Sequence, residues 1–245
     1  MSSKNNPAVS KAIAVVQYVA DSKEPVSVKE LSYALEVPQA SCYRIVRTLL
    51  EKNWLRQDMN GGLSIAFGLA HVARGYSDLE MRLKELDAPV KRLASELNMS
   101  VKLTLREGHY ATTALRAESI NPNAITTPVG SRFHLAVGSA AAALLSQLSD
   151  REIELGLDSA PKEVWPRQTR EHVWERVRAC REYGVCADLG LQHPAIYAAS
   201  TLLKITDSLV VALTAVGWQD DFEGEKLQAV FDRLLRASDT IPQLL

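Results

Sequence analysis

Residues 37–49 of this chain have the sequence VPQASCYRIVRTL. Four side chains of this stretch follow the i, i+3, i+4, i+7 spacing of one helical face: Cys42, Ile45, Val46 and Leu49. Such a stripe predicts an amphipathic helix, here from about Pro38 to Lys52, with this face packed on a core.

The opposite side of the predicted helix is polar and carries two cations. Its residues are Gln39, Ala40, Ser41, Tyr43, Arg44 and Arg47. Ahead of it, Ser27 and Glu30 have the spacing of a capping box, in which each side chain caps the other's backbone N–H. We therefore predict a second, shorter helix that begins after Ser27 and meets the first across a tight turn.

A β-hairpin is predicted directly after this helix pair. Residues 54–57 and 63–65 flank the sequence Met59-Asn60-Gly61-Gly62, and an Asn-Gly pair between two short strands is a strong hairpin signal. Three helices, counting an amphipathic one over residues 8–21, followed by a hairpin are typical of a winged helix. A linker helix is predicted over residues 66–76.

The pattern changes in the rest of the chain. Residues 79–97 are predicted to be helical with a break before Pro89, and Val101, Leu103 and Leu105 then alternate with polar residues as in a strand. Strands near 110–116, 185–189, 196–203 and 209–216 and helices over 139–148, 170–181 and 225–237 complete an α/β domain. We predict an α+β protein of two domains, residues 1–76 and 77–245.

Composition and charge are those of an ordinary globular protein. The 245 residues are 47% hydrophobic and carry a net charge of -1, with nine basic and seven acidic residues in positions 1–78. No signal peptide or membrane-length apolar run is present, and three cysteines are too few for a disulfide framework. We expect a cytoplasmic protein with no membrane association.

A helix that projects from a helix-turn-helix can enter the major groove of duplex DNA. Gln can pair with adenine and Arg with guanine, whereas hydroxyls and other cations suit phosphates. Our candidate DNA-contacting residues lie on this helix, at the start of the preceding helix and in the wing: Ser27, Gln39, Ala40, Ser41, Tyr43, Arg44, Arg47, Arg56, Gln57 and Asn60. A solvated helix face, or a winged helix that binds another protein, is the alternative interpretation.

The stretch from Val37 to Leu49 resembles the recognition-helix signature of the IclR family of transcriptional regulators, with Tyr43-Arg44 before two aliphatic residues and Thr48. The resemblance continues at Ala88-Pro89, Gly130-Ser131-Arg132, Gly184, Asp188 and Leu209–Gly217. It implies a winged helix, a linker helix and a GAF-like carboxy-terminal domain. It also implies a homodimer or tetramer whose DNA operator affinity is modulated by a small organic effector, expected to be a carboxylate or an aromatic compound.

The effector site is the least defined part of this resemblance. Residues beside the family's pocket-lining segments are Arg116, Arg132, Ser139, Asp188 and Ser200, although Arg116 could equally pair with Glu118. The chain departs from the family pattern at Phe133-His134-Leu135, Ala141-Ala142, Ser200-Thr201 and, in the wing, Leu63 and Ala66.

Enzyme activity is not expected. The sequence has no nucleophile elbow, P-loop or dinucleotide fingerprint, and Cys180 and Cys186 do not have a zinc-ligand spacing with His172 or His193. We therefore expect no cofactor and no metal. A small-molecule enzyme with an accessory amino-terminal domain remains the second alternative.

Overall fold

The computed structural model describes residues 6–74, 77–119, 124–125, 127–207 and 209–244. The chain divides into two compact units, residues 1–79 and 80–245. Each unit has a hydrophobic core of its own.

The first unit is a winged helix, as predicted. Its elements are α1 (Pro7–Asp21), α2 (Val28–Ala34), α3 (Gln39–Glu51), β1 (Leu55–Gln57), β2 (Leu63–Ile65) and α4 (Phe67–Ala73). β1 and β2 pair antiparallel. Leu31, Cys42 and Leu63 are fully buried and join the helices to the hairpin in one core. The predicted end of the linker helix at residues 75–76 lies outside the described residues.

One local prediction in this unit, the reciprocal capping box, is wrong in detail. Ser27 caps α2 by accepting the N–H of Glu30 at 3.2 Å, but the Glu30 carboxylate accepts from the Tyr18 hydroxyl at 3.4 Å rather than returning the cap. The predicted hairpin is present, and its loop has three residues, because Asp58 N–H donates to the Gly62 carbonyl and Gly61 N–H to the Asp58 carbonyl. Only Gly61 adopts a positive φ, +87°, which fits a three-residue loop.

The second unit is built on one six-stranded sheet. Its elements are α5 (Ser77–Leu97), β3 (Ser100–Glu107), β4 (Tyr110–Ala117), β5 (Arg132–His134), α6 (Gly138–Leu145), α7 (Asp150–Asp158), α8 (Arg170–Tyr183), β6 (Val185–His193), β7 (Ile196–Lys204), β8 (Val210–Trp218) and α9 (Glu225–Thr240), with short 3₁₀ helices at Lys162–Arg167, Gln219–Asp221 and Pro242–Leu244. The strand order is β5-β4-β3-β8-β7-β6, and every neighbouring pair is antiparallel. The protein is therefore α+β.

Helices cover both faces of this sheet. α5 and α9 pack on one face, where Val101, Leu103 and Leu213 meet Leu86 and Leu234. α6 and α8 pack on the other, which we call the inner face, where the alanines of α6 and Val177 of α8 meet Ala212 of β8. Polar residues of this face such as Thr104, Ser200 and Thr214 are consequently buried.

The predicted helix break before Pro89 is wrong, since α5 runs without interruption through this proline. A proline inside a helix costs about 3 kcal/mol through a lost hydrogen bond and a steric clash. The side chains of Leu86, Val90 and Leu93 are buried against the sheet, and each contributes about 1.5–3 kcal/mol. Packing therefore outweighs the local preference.

None of the helices in the described part of the chain is long and apolar enough to span a lipid bilayer.

Candidate nucleic-acid interface and ligand site

α3 has one buried and one exposed face. Cys42, Val46 and Leu49 are buried beneath it, and Ile45 is partly buried. The exposed residues are Gln39, Ala40, Tyr43, Arg44 and Arg47, and Ser41 is partly exposed at the edge of this face. The candidate residues of the helix therefore lie together on one accessible surface.

The two arginines of α3 are held differently. Arg44 Nη2 donates to Ser41 Oγ at 3.4 Å, and no carboxylate among the described residues lies within 4 Å of it. Arg47 is not a second free cation, because it pairs with Glu51 at 3.0 Å. Since both partners of that i, i+4 pair are more than half exposed, it is worth only about 0.3–0.5 kcal/mol.

The wing places three further candidates near its loop. Arg56, Gln57 and Asn60 are all exposed, and Gln57 Nε2 donates to the Gly61 carbonyl at 3.1 Å. The Asp58 carboxylate accepts the backbone N–H groups of Asn60 and Gly62, which fixes the loop. Its negative charge is thus partly neutralised within the loop.

Met59, an exposed residue of the wing, is not among the candidates predicted from the sequence. Met59 is fully exposed at the tip, where apolar side chains of some DNA-binding proteins enter the minor groove. An apolar residue beside an Asn-Gly pair was the available signal. Ser27 is exposed at the start of α2, with its hydroxyl engaged as the helix cap.

In the second unit, one row of side chains crosses five strands of the inner face. Its members are register neighbours on β4, β3, β8, β7 and β6: Arg116, Lys102, Thr214, Ser200 and Cys186. Side chains on adjacent strands of a sheet interact across about 5 Å. Two of our effector-site candidates, Arg116 and Ser200, are therefore in the same row, separated by Lys102 and Thr214.

The start of α6 lies against this row. Ser139 Oγ is 2.8 Å from Ser200 Oγ, which is 2.9 Å from Thr214 Oγ1, and all three residues are buried. We call these three the hydroxyl chain. Gly138 precedes it with a φ of +78°, a conformation that favours glycine. Burial raises the pKa of the Cys186 thiol, whose Sγ donates to the Ser139 carbonyl at 3.5 Å.

Asp188 lies beside the hydroxyl chain with a buried arginine. Its Oδ1 accepts the N–H of Leu191 at 3.0 Å, and its Oδ2 is 3.9 Å from Arg176 Nη1. Arg176 Nη2 donates to Gln168 Oε1 at 2.7 Å, and Gln168 Nε2 donates to the Ala136 carbonyl at 2.6 Å. Desolvation lowers the pKa of Arg176 although Asp188 acts in the other direction.

Buried polar atoms remain unpaired in this region. Within the described residues, Asp188 Oδ2, Arg176 Nε and Arg176 Nη1 have no hydrogen-bond partner. Buried polar groups are nearly always hydrogen-bonded. Each of these atoms is therefore available to form a hydrogen bond with a polar ligand. No group of three or more metal-ligating side chains occurs among the described residues.

The five effector-site candidates are not all brought together. Ser139, Asp188 and Ser200 cluster at the start of α6. Arg116 is in the same row as Ser200 but forms the alternative ion pair with Glu118, at 2.9 Å. Arg132 is exposed on β5 and stacks on the Tyr110 ring at 4.0 Å, apart from the cluster.

Two residues were missed, Lys102 on the inner face of the sheet and Arg176 on α8. Lys102 occupies a polar position of an alternating strand, and such positions are usually solvated. The signal that could have found it is the presence of two further helices, at residues 138–145 and 170–183, that cover the second face of the sheet.

Two family models match the chain in succession. The model described as "IclR helix-turn-helix domain" matches residues 8–59, and "Bacterial transcriptional regulator IclR C-terminal" matches residues 79–243. Together they cover both compact units.

Curated relatives are similar over part of their length. The HTH-type transcriptional repressor AllR of Escherichia coli K12 is 26% identical over 151 residues, which are 61% of this chain and 56% of that protein. The HTH-type transcriptional regulator KipR of Bacillus subtilis is 27% identical over 133 residues, 54% of this chain and 53% of that protein. The chain thus spans just over half the length of these relatives.

Solved structures share the whole fold. The IclR protein of Thermotoga maritima has a TM-score of 0.69 and 16% identity, covering 96% of this chain and 97% of that one. An IclR homolog from Microbacterium hydrocarbonoxydans, complexed with 4-hydroxybenzoate, has a TM-score of 0.72 and 17% identity, covering 97% of this chain and 98% of that one.

Proposed function

The chain belongs to the IclR family of bacterial transcriptional regulators, and we propose that it is a sequence-specific DNA-binding regulator whose operator affinity is modulated by a small organic effector. It acts as a homodimer or as a tetramer of two such dimers, in the cytoplasm, without enzymatic activity. The absence of enzymatic activity is supported by its relatives in sequence, which are transcriptional regulators.

The observation that carries the proposal is the division of α3 into two faces. Its apolar face anchors the helix through Cys42, Val46 and Leu49, and its other face presents Arg44 to solvent without a carboxylate partner among the described residues. An arginine in this state can donate two parallel hydrogen bonds to guanine without first breaking an ion pair.

The remaining DNA-contacting residues take supporting roles in the proposal. Gln39 and Ser41 lie at the amino-terminal end of α3, the part of a recognition helix that contacts base edges. Arg47 and the wing residue Arg56 suit phosphates, which fix the register of the protein on the duplex. Ser27 suits a phosphate as well, from the start of α2.

The effector site of the proposal is the cluster of Ser139, Asp188 and Ser200. It offers hydroxyl and carboxylate groups among buried alanines, the combination of few polar groups in an apolar setting that small-molecule sites use. The structural relative that is complexed with 4-hydroxybenzoate supports a ligand of this size. To act as a switch, the effector must bind two conformations of the regulator with different affinities.

Selection from a random pool of duplex DNA, followed by anisotropy titration of the enriched duplex, tests the proposal. We expect the wild type to enrich a two-fold symmetric sequence with half-sites about 34–36 Å apart or a multiple of that distance. Arg44→Ala should weaken binding about 5- to 150-fold, which corresponds to about 1–3 kcal/mol.

Arg151→Ala is the matched control, because Arg151 is an exposed arginine of α7 in the other unit. It should bind like the wild type. If no sequence is enriched, or if the two alanine variants bind alike, the proposal is wrong.

A further inference from the structure

Lys102 is a partly buried cation on the inner face, in the same row as the hydroxyl chain. Its Nζ lies 5.1 Å from the centre of the Phe133 ring, and no carboxylate within the described ranges lies within 4 Å of it. Burial lowers the pKa of Lys102 to about 8. The ammonium group is thus partly desolvated without a counter-ion.

Two buried hydroxyl groups lie on the same side of the sheet. Thr104 and Thr113 are register partners on β3 and β4, and both are fully buried. Neither hydroxyl has a hydrogen-bond partner among the described residues. Thr104 is also the register partner of Ala212, which packs beneath α6 and α8, so it faces the same covered layer as Lys102.

The charge of this region is positive. Arg116, the register partner of Lys102 on β4, is already paired with Glu118, so it does not compete for a second anion. Withdrawing an ammonium from water is costly unless an opposite charge compensates. The contact with the Phe133 ring compensates only part of that cost. The missing component is an anion.

We propose that Lys102 is the residue that binds the charged group of the effector, which the family resemblance leads us to expect is a small carboxylate, and that the body of the effector lies against Phe133. The inference rests on the proposed function, because it assigns the ligand class of the same regulator. Adjacent strands are about 4.8 Å apart, so the backbone of Ser200, two strands away, lies about 10 Å from that of Lys102.

Thermal unfolding of the full chain tests this assignment with acetate, benzoate and 4-hydroxybenzoate, each against its uncharged amide. The ligands are used at about 20 mM with ionic strength equalised by sodium chloride. At least one carboxylate should raise the unfolding temperature of the wild type by about 2–4 °C more than its amide, the shift expected at a few times the dissociation constant.

Lys102→Met should abolish that difference while keeping a side chain of similar length. Lys102→Arg, which keeps the charge, should retain a part of it. Lys162→Met is the matched control, since Lys162 is an exposed lysine of the same unit, and it should respond like the wild type. The inference is overturned if none of the three carboxylates exceeds its amide, or if Lys102→Met still shows the difference.

A separate readout distinguishes this failure from failure of the proposed function. Binding of the wild type to the enriched duplex without any carboxylate tests DNA recognition alone. A protein that binds DNA but shows no Lys102-dependent carboxylate effect retains the proposed function and refutes the assignment. If the protein shows the carboxylate effect but binds no duplex, the proposed regulatory function is wrong and the protein binds carboxylates in some other role.

Discussion

Arg44 and Lys102 are both cations without a carboxylate partner among the described residues, but their surroundings are opposite. Arg44 is exposed on α3, so water stabilises its charge until a ligand replaces that water. Lys102 is partly buried beneath helices, so its charge is poorly solvated at all times. This difference fits the two roles that we propose, in which the exposed cation binds a large polyanion and the covered one a single small anion.

The two cations also differ in how their removal affects folding. An exposed cation can be removed with little effect on folding, so a loss of binding there reports on the ligand. A buried cation affects folding and binding together, and often in opposite directions, because the same desolvation that destabilises the fold strengthens the contact with an anion.

The largest expected effect is at Arg176, the buried cation that does have a partner. Arg176→Ala leaves the buried Asp188 carboxylate without its counter-ion and Gln168 Oε1 without its hydrogen-bond donor, which should lower the free energy of unfolding by about 3–5 kcal/mol. Arg178→Ala, on the same helix, removes only an exposed pair with Glu171 and should cost less than about 1 kcal/mol. Urea denaturation followed by circular dichroism measures both. Equal losses would show that burial does not distinguish the two cations.

The next effect is at Lys102 and has the opposite sign. Lys102→Met should raise the free energy of unfolding at pH 7 by about 1–3 kcal/mol in the absence of an anion, because it removes a partly desolvated charge. The folded-state pKa of about 8 lies below the unfolded value of about 10.4, so the unfolded chain binds more protons between these two pH values.

Wild-type stability should therefore gain a contribution as the pH rises from about 8 to about 10.4. The advantage of Lys102→Met should shrink over the same interval. Denaturant unfolding of both proteins at pH 7 and pH 10 measures the change. If Lys102→Met is less stable than the wild type at pH 7, or if the difference in free energy of unfolding does not depend on pH, the Lys102 ammonium is not desolvated in the folded protein.

The smallest effect is expected at Arg47. Arg47→Ala should change the free energy of unfolding by less than about 0.5 kcal/mol, since its pair with Glu51 is exposed. If Arg47 binds phosphate, the slope of log affinity against log salt should fall by about 0.9 for each phosphate that the variant no longer neutralises, on specific and nonspecific DNA alike. Glu51→Gln, which frees Arg47, should tighten binding slightly. An unchanged salt slope in Arg47→Ala would remove this residue from the interface.

The winged helix could be predicted because its signals are local. The apolar stripe of α3 and the Asn-Gly pair of the hairpin each lie within one element and its turn. The continuous helix through Pro89 could not be predicted in this way, since it depends on burial of Leu86 and Val90 against a sheet formed by distant residues. α7 was missed although Ser149 and Glu152 form a capping box that the sequence displays.

The candidate ligand site is less accessible to sequence reasoning. Ser139 and Ser200 are 61 residues apart, and only the fold brings their hydroxyl groups to 2.8 Å. Lys102 has the appearance of a solvated strand residue, because alternation identifies one buried face of a sheet and says nothing about helices on the other. Arg132 belongs to the Gly130-Ser131-Arg132 motif in the sequence, but in the structure it lies apart from the cluster of Ser139, Asp188 and Ser200.

The proposed function depends on base contacts by Arg44, and the selection from random DNA repeated with Arg44→Ala tests them most directly. We expect this variant to lose base preference at one position of each half-site, while the preferences elsewhere and the half-site spacing persist. A selected sequence identical to that of the wild type would show that Arg44 does not contact a base, and would contradict the role assigned to α3.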